Sequence, residues 1–82
     1  MISSPEDVYA LARRLLECCK GAGYDEAAMQ LDDALHAGSS ALEILGAIRG
    51  AILEHTEVCQ EFAAPDELEA ATNYVDHVFG RK

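Results

Sequence analysis

Between Arg49 and Arg81 the chain contains no lysine and no arginine, although the same stretch carries Glu54, Glu57, Glu61, Asp66, Glu67, Glu69 and Asp76. Positive charge is missing where negative charge is densest. Such a surface repels phosphate backbones and anionic headgroups and attracts basic protein surfaces, so neither nucleic acid nor membrane is expected as a partner. Tryptophan is absent, and Tyr9, Tyr24, Tyr74, Phe62 and Phe79 are the whole aromatic complement. With no basic residues interleaved among them, they make no stacking platform for bases. No apolar run approaches the ~20 residues that span a bilayer, and no basic segment leads into an apolar one at the N-terminus. A cytoplasmic location is the expectation.

Cysteine is scarce and badly placed for cross-linking. Cys18 and Cys19 are neighbours and Cys59 is the third, an odd number in which the adjacent pair would diverge by about 100° on a helix. Reduced thiols are expected. Together with His36, His55 and His77 the cysteines lack the paired short spacings of zinc sites, and no metal or other cofactor is expected. Cys59 one turn after His55 is the best place for a cysteine–histidine nucleophile, but no glycine-rich loop or cluster of oxyanion donors accompanies it. The adjacent acids Asp32-Asp33 and Asp66-Glu67 diverge on a helix and suit solvent exposure or a helix N-terminus. A non-enzymatic protein is expected.

What the chain does contain is helical punctuation. Its 82 residues carry a net charge of −9, and half are hydrophobic, many of them alanine; this suits one domain over 1–82 with a small core, near the lower limit of independent folding. Ser4-Pro5-Glu6-Asp7 reads as N-cap, first-turn proline and acids facing a positive helix end. Val8, Leu11, Ala12, Leu15, Cys18 and Cys19 follow as one apolar face, and Lys20 with Gly21 or Gly23 marks its end. Asp25 is placed to cap a second helix with Ala27, Ala28, Leu31, Ala34 and Leu35 inward, ending at Gly38.

Ser40 and Glu43 form a capping-box pattern that opens the longest periodic stretch. Ala41, Ile44, Leu45, Ile48, Ile52, His55, Cys59 and Phe62 stay within about 100° of one another on a helical wheel, so a continuous third helix to Phe62 is expected, with Thr56 the place where a new helix would start. Pro65-Asp66-Glu67 opens a last helix with Leu68, Ala71, Val75, Val78 and Phe79 inward and Gly80 at its end. No segment alternates with period two, and the loops are short. The fold expected is all-α, a small four-helix bundle with antiparallel neighbours.

Two surfaces stand out on the third helix. Glu43, Glu54, Glu57 and Glu61 fall within about 60° of one another opposite the isoleucine face, with no lysine at four-residue spacing to relieve their repulsion. They form a candidate ridge for a basic partner, extended by Glu67 and Glu69; a solvated face rich in glutamate for solubility is the alternative. Leu42, Gly46, Arg49 and Leu53 make a second stripe, in which Gly46 and Gly50 each cost about 1 kcal/mol of helix propensity relative to alanine. Close approach of a neighbouring helix, or of a second copy through Leu42, Gly46, Gly50 and Leu53, accounts for that cost.

The block Gly23-Tyr24-Asp25-Glu26-Ala27-Ala28, Leu31, Ala34-Leu35, Gly38-Ser39-Ser40 and Glu43-Ile44-Leu45 to Arg49 resembles small uncharacterised bacterial proteins that share a helix–Gly-Ser–helix unit over about residues 23–49. The resemblance implies a bacterial all-helical protein and brings no activity with it. Acyl carrier proteins are similar in acidity, length and helical content, with a phosphopantetheine serine near mid-chain. Here Ser39-Ser40-Ala41-Leu42 lacks the aspartate directly before and the leucine directly after the serine, and residues 25–36 read as helix where carriers have a long loop. The reading of the whole is an acidic protein–protein interaction module that docks on a basic partner, as an immunity, antitoxin-like or regulatory adaptor protein. A self-associating homodimeric domain is the alternative and an acyl-carrier-like protein a remote one.

Overall fold

A computed structural model describes residues 2–80. Among them five helices account for the regular structure: α1 (Pro5–Ala22), α2 (Asp25–Leu35), α3 (Ala41–Glu54), α4 (Thr56–Cys59) and α5 (Pro65–Val78). The N-terminus of α1 is built as its residues dictate. Ser4 Oγ accepts from the Asp7 amide, while the Asp7 carboxylate accepts from Ser3 N at 2.9 Å and Ser3 Oγ at 3.2 Å. Its C-terminus settles the choice between Gly21 and Gly23. Gly23, at φ +85°, donates to Lys20 O while Tyr24 N donates to Cys19 O, a Schellman motif that needs a left-handed residue at that point. The chain then turns directly into α2, and α1 packs most extensively against it.

The core is assembled from one face of each helix: Val8, Leu11, Ala12, Leu15 and Cys19 of α1; Ala27, Ala28, Leu31 and Ala34 of α2; Leu45, Ile48, Ala51 and Ile52 of α3; Cys59 of α4; and Leu68, Ala71 and Val75 of α5. Alanines at six of these places let the helices approach closely. The shortest dimension of the molecule is 19 Å, about two helix diameters.

Several expectations need correction. The third helix is not continuous to Phe62: His55, at φ −120° and ψ 41°, leaves helical geometry, and the chain restarts as α4. Thr56 does mark the break, though by the opposite chemistry to an N-cap. Its hydroxyl donates backwards, to Ile52 O at 3.1 Å and Leu53 O at 3.0 Å, satisfying carbonyls at the end of α3. Asp25 is the first residue of α2, whose N-cap is Tyr24, and α2 closes at His36 rather than Gly38. Ala41 is exposed, and Val78 and Phe79 are 38% and 40% exposed at the end of α5. Apolar periodicity carried Ala41 and Val78 past the point where another element fully covers them, while the Phe79 ring is covered in part, against Gly46 of α3.

Candidate functional site

The helix break reorganises the predicted acidic ridge. A single helical wheel no longer relates its members: Glu43 and Glu54 lie on α3, Glu57 on α4, and Glu61 in the turn after it. Glu43 sits at the start of α3, where its amide donates to Ser40 Oγ and its carboxylate accepts from the same hydroxyl at 3.1 Å. A Cβ on Gly38 would come within 2.8 Å of the Glu43 side chain, so this capping arrangement fills the space beside that glycine. Glu54 is about 16 Å further along the helix axis. Its Oε1 accepts from Gln30 Nε2, and Gln30 Oε1 in turn lies 2.6 Å from His55 Nε2. An amide oxygen only accepts, so this contact places the proton of His55 on Nε2.

Counter-charge comes from elsewhere in the chain. Arg14 on α1 grips Glu67 with both terminal nitrogens, at 2.7 and 3.2 Å, and the guanidinium holds that carboxyl below the usual glutamate range. Arg49 on α3 faces Asp76 on α5 at 2.7 Å. Glu61 receives the Tyr24 hydroxyl at 2.7 and 2.8 Å, a bond that pushes the phenol pKa up, and the Tyr24 ring meets Phe62 edge-on with centroids 6.1 Å apart. Glu61 and Glu67 are therefore structural fasteners, and the repulsion inferred from sequence spacing is partly relieved by long-range partners.

Three of the proposed partner-binding residues, Glu54, Glu57 and Glu69, come together around one exposed leucine. Leu53 is 50% exposed at the end of α3. On one side it lines an open groove of about 490 Å³ between α3–α4 and α5, with Ile52 and Leu68 at its base and Thr56, Gln60, Pro65, Asp66, Glu69 and Thr72 around it. On the other side Leu53 and Thr56 also line a smaller depression with Glu54 and Glu57. Neither Asp66 nor Glu69 forms an ion pair among the described residues, nor does Glu57. The arrangement is an apolar centre flanked by carboxylates, with no lysine or arginine lining either depression. Met29, 62% exposed, marks a different surface: it lies with Leu16 in a depression that mixes Lys20 with Asp25 and Asp32.

The glycine stripe resolves differently. A Cβ on Gly46 would stand 3.1 Å from Phe79 Cζ, so the close approach that Gly46 permits is taken up by the end of α5. Gly50 has open space beside it, and Leu42 and Leu53 remain half exposed. Contacts of Gly46 with Phe79, Arg49 with Asp76, and the shared groove of Ile52 and Leu68 run α5 antiparallel to α3.

Cys59 is fully buried, and desolvation with Cys19 nearby pushes its thiol up to about 11; a protonated, enclosed sulfur is a poor nucleophile. His55 directs Nε2 at Gln30. Among the described residues no group of His, Cys, Asp and Glu is placed to hold a metal ion, and no helix is long and apolar enough to cross a membrane. Asp66 and Tyr24 are the residues that sequence reasoning undervalued. Asp66 reads as a helix-start acid and Tyr24 only as one of five aromatics, and only the folded geometry gives each a further role.

Comparison with protein-family models, with curated proteins and with solved structures gives no match to this chain.

Proposed function

We propose that this protein is a non-enzymatic acidic docking module for a basic protein partner, in the manner of a bacterial, cytoplasmic immunity, antitoxin-like or regulatory adaptor protein. We read its four longer helices as a bundle that serves as the frame. The single observation that supports this reading is the exposed Leu53 with Glu54 and Glu57 on one flank and Asp66 and Glu69 on the other. Carboxylates without cationic partners steer a lysine- and arginine-rich surface and set the register of docking, while apolar contact slows its departure. Glu43, Glu61 and Glu67 stand outside the docking set, because each is engaged in holding the fold.

The test is retention of proteins from a low-salt lysate on the wild-type chain and on a Glu57→Lys/Glu69→Lys variant. A basic protein held by the wild type, released by rising salt and lost from the variant supports the reading. Identical retention on both chains rejects it.

A further inference from the structure

The groove between α3–α4 and α5 constrains what its occupant is made of, and this inference rests on the acidic-docking reading. Its hydroxyl donors are already spent. Thr56 Oγ1 donates to Ile52 O and Leu53 O, and Thr72 Oγ1 donates to Glu69 O. Among its side chains only the Gln60 amide remains as a donor, and the rest of what the groove presents is acceptor oxygen and apolar surface. An occupant must therefore bring positive donors for Asp66 and Glu69 and an apolar group for Leu53.

Backbone chemistry narrows it further. The walls are helical, so their backbone groups bond internally except in the first turn of α5, and the hydroxyl of Thr56 covers carbonyls at the end of α3. An extended peptide laid here would find no strand edge to pair with, whereas a helix brings its own hydrogen bonds. Carboxylates stand on both sides of Leu53, so cationic side chains are needed on both sides of the apolar anchor. One apolar stripe flanked by lysine or arginine one turn away is the pattern of a basic amphipathic helix.

We infer that the groove centred on Leu53 receives a basic amphipathic helix from the partner, with an apolar side chain seated on Leu53 and cationic side chains paired with Asp66 and Glu69. The depression at Met29, on a different surface, differs because Lys20 stands among its acids and would repel the same helix.

Fluorescence anisotropy at low salt tests this with three labelled probes: a synthetic amphipathic helix of lysine, leucine and alanine, a scrambled peptide of the same composition, and polylysine. The amphipathic helix should bind the full chain at least roughly tenfold more tightly than the scramble, the scale expected for burying one leucine. Leu53→Gln should remove that preference and Glu69→Lys should weaken binding, while Leu42→Gln, an equally exposed leucine at the other end of α3, should leave both unchanged. Circular dichroism of each variant establishes that the helices persist, and Glu69→Lys carries the test if Leu53→Gln loses helicity. Equal, salt-sensitive binding of all three probes, indifferent to Leu53, would overturn the helix-in-groove inference and leave the acidic-docking reading standing. No binding by any probe would overturn both.

Discussion

The hairpin of α1 and α2 and the α3–α4–α5 half are built by different rules, and the contrast explains where the chain keeps its surface chemistry. In α1, the first helix of the hairpin, each signal agrees with the next. Capping serine, first-turn proline, apolar face and left-handed Gly23 all specify the same helix, which ends where its face ends. In the second half they disagree. The apolar face of α3 continues through His55 and Cys59, yet the helix stops at Glu54 and turns. The side-chain hydroxyl of Thr56 and the His55–Gln30 contact compensate at the break, and the exposed Leu53 with its carboxylates lies beside it. Local agreement yields a helix that ends as its caps dictate, and local conflict leaves a groove beside the break.

The largest test of this contrast is in the hairpin. Leu15 is fully buried in α1, and Leu15→Ala should cost about 2–5 kcal/mol in urea unfolding. A loss well under 1 kcal/mol would mean that the hairpin is not the rigid half.

Titration probes the molecule from both sides of neutrality, with the acid side touching both regions and the alkaline side touching α4. Asp7, held by Ser3 hydrogen bonds, and Glu67, held by Arg14, have lowered values. Their stabilisation is present above the unfolded carboxylate pKa and is lost as pH falls through the folded values, so stability should decline below about pH 4. Cys59 is raised from 9.0 to about 11 by burial. Its contribution is complete below pH 9 and is lost as pH rises through 11, a decline on the order of 2 kcal/mol. Denaturation midpoints against pH should therefore show an alkaline limb that Cys59→Ala flattens; an unchanged limb would place its cause outside α4.

Smaller changes sharpen the picture at the break itself. Thr56→Val keeps the shape of the side chain and removes both bonds to the α3 carbonyls. It should cost about 1 kcal/mol and lower the protection of amides near residues 52–56 in hydrogen exchange. Gly50 has nothing within 4 Å of its missing Cβ, so Gly50→Ala should stabilise the protein by about 0.5–1 kcal/mol. Least of all, Arg14→Gln should cost only about 0.2–1 kcal/mol, since the pair with Glu67 is largely open to solvent. A greater loss there would tie α5 to the hairpin more tightly than the geometry implies.

These regions also differ in how far they can be read from the sequence. The core of α1, α2 and the first three turns of α3 is legible because a helix that obeys its caps buries the face its periodicity names, as Leu11, Leu31 and Ile48 do. Val78 departs from that rule by continuing the face of α5 toward solvent, and Phe79 is covered only in part, against Gly46 of α3. Within the candidate site, Glu54, Glu57 and Glu69 were legible as exposed acids. Their grouping with Leu53 and Asp66 was not, because it depends on the turn at His55 and on how α5 packs. Nor could spacing reveal that Arg14 and Arg49 would travel from other helices to Glu67 and Asp76. Charge balance along a sequence and charge balance on a surface are different quantities.

The Arg14–Glu67 clasp joins positions 53 residues apart, whereas α1, α2 and α3 contact one another as consecutive elements. Closing so long a loop costs chain entropy that contacts between successive helices do not incur. The seat of α5 therefore depends on contacts made across almost the whole chain, and the groove beside it inherits that dependence.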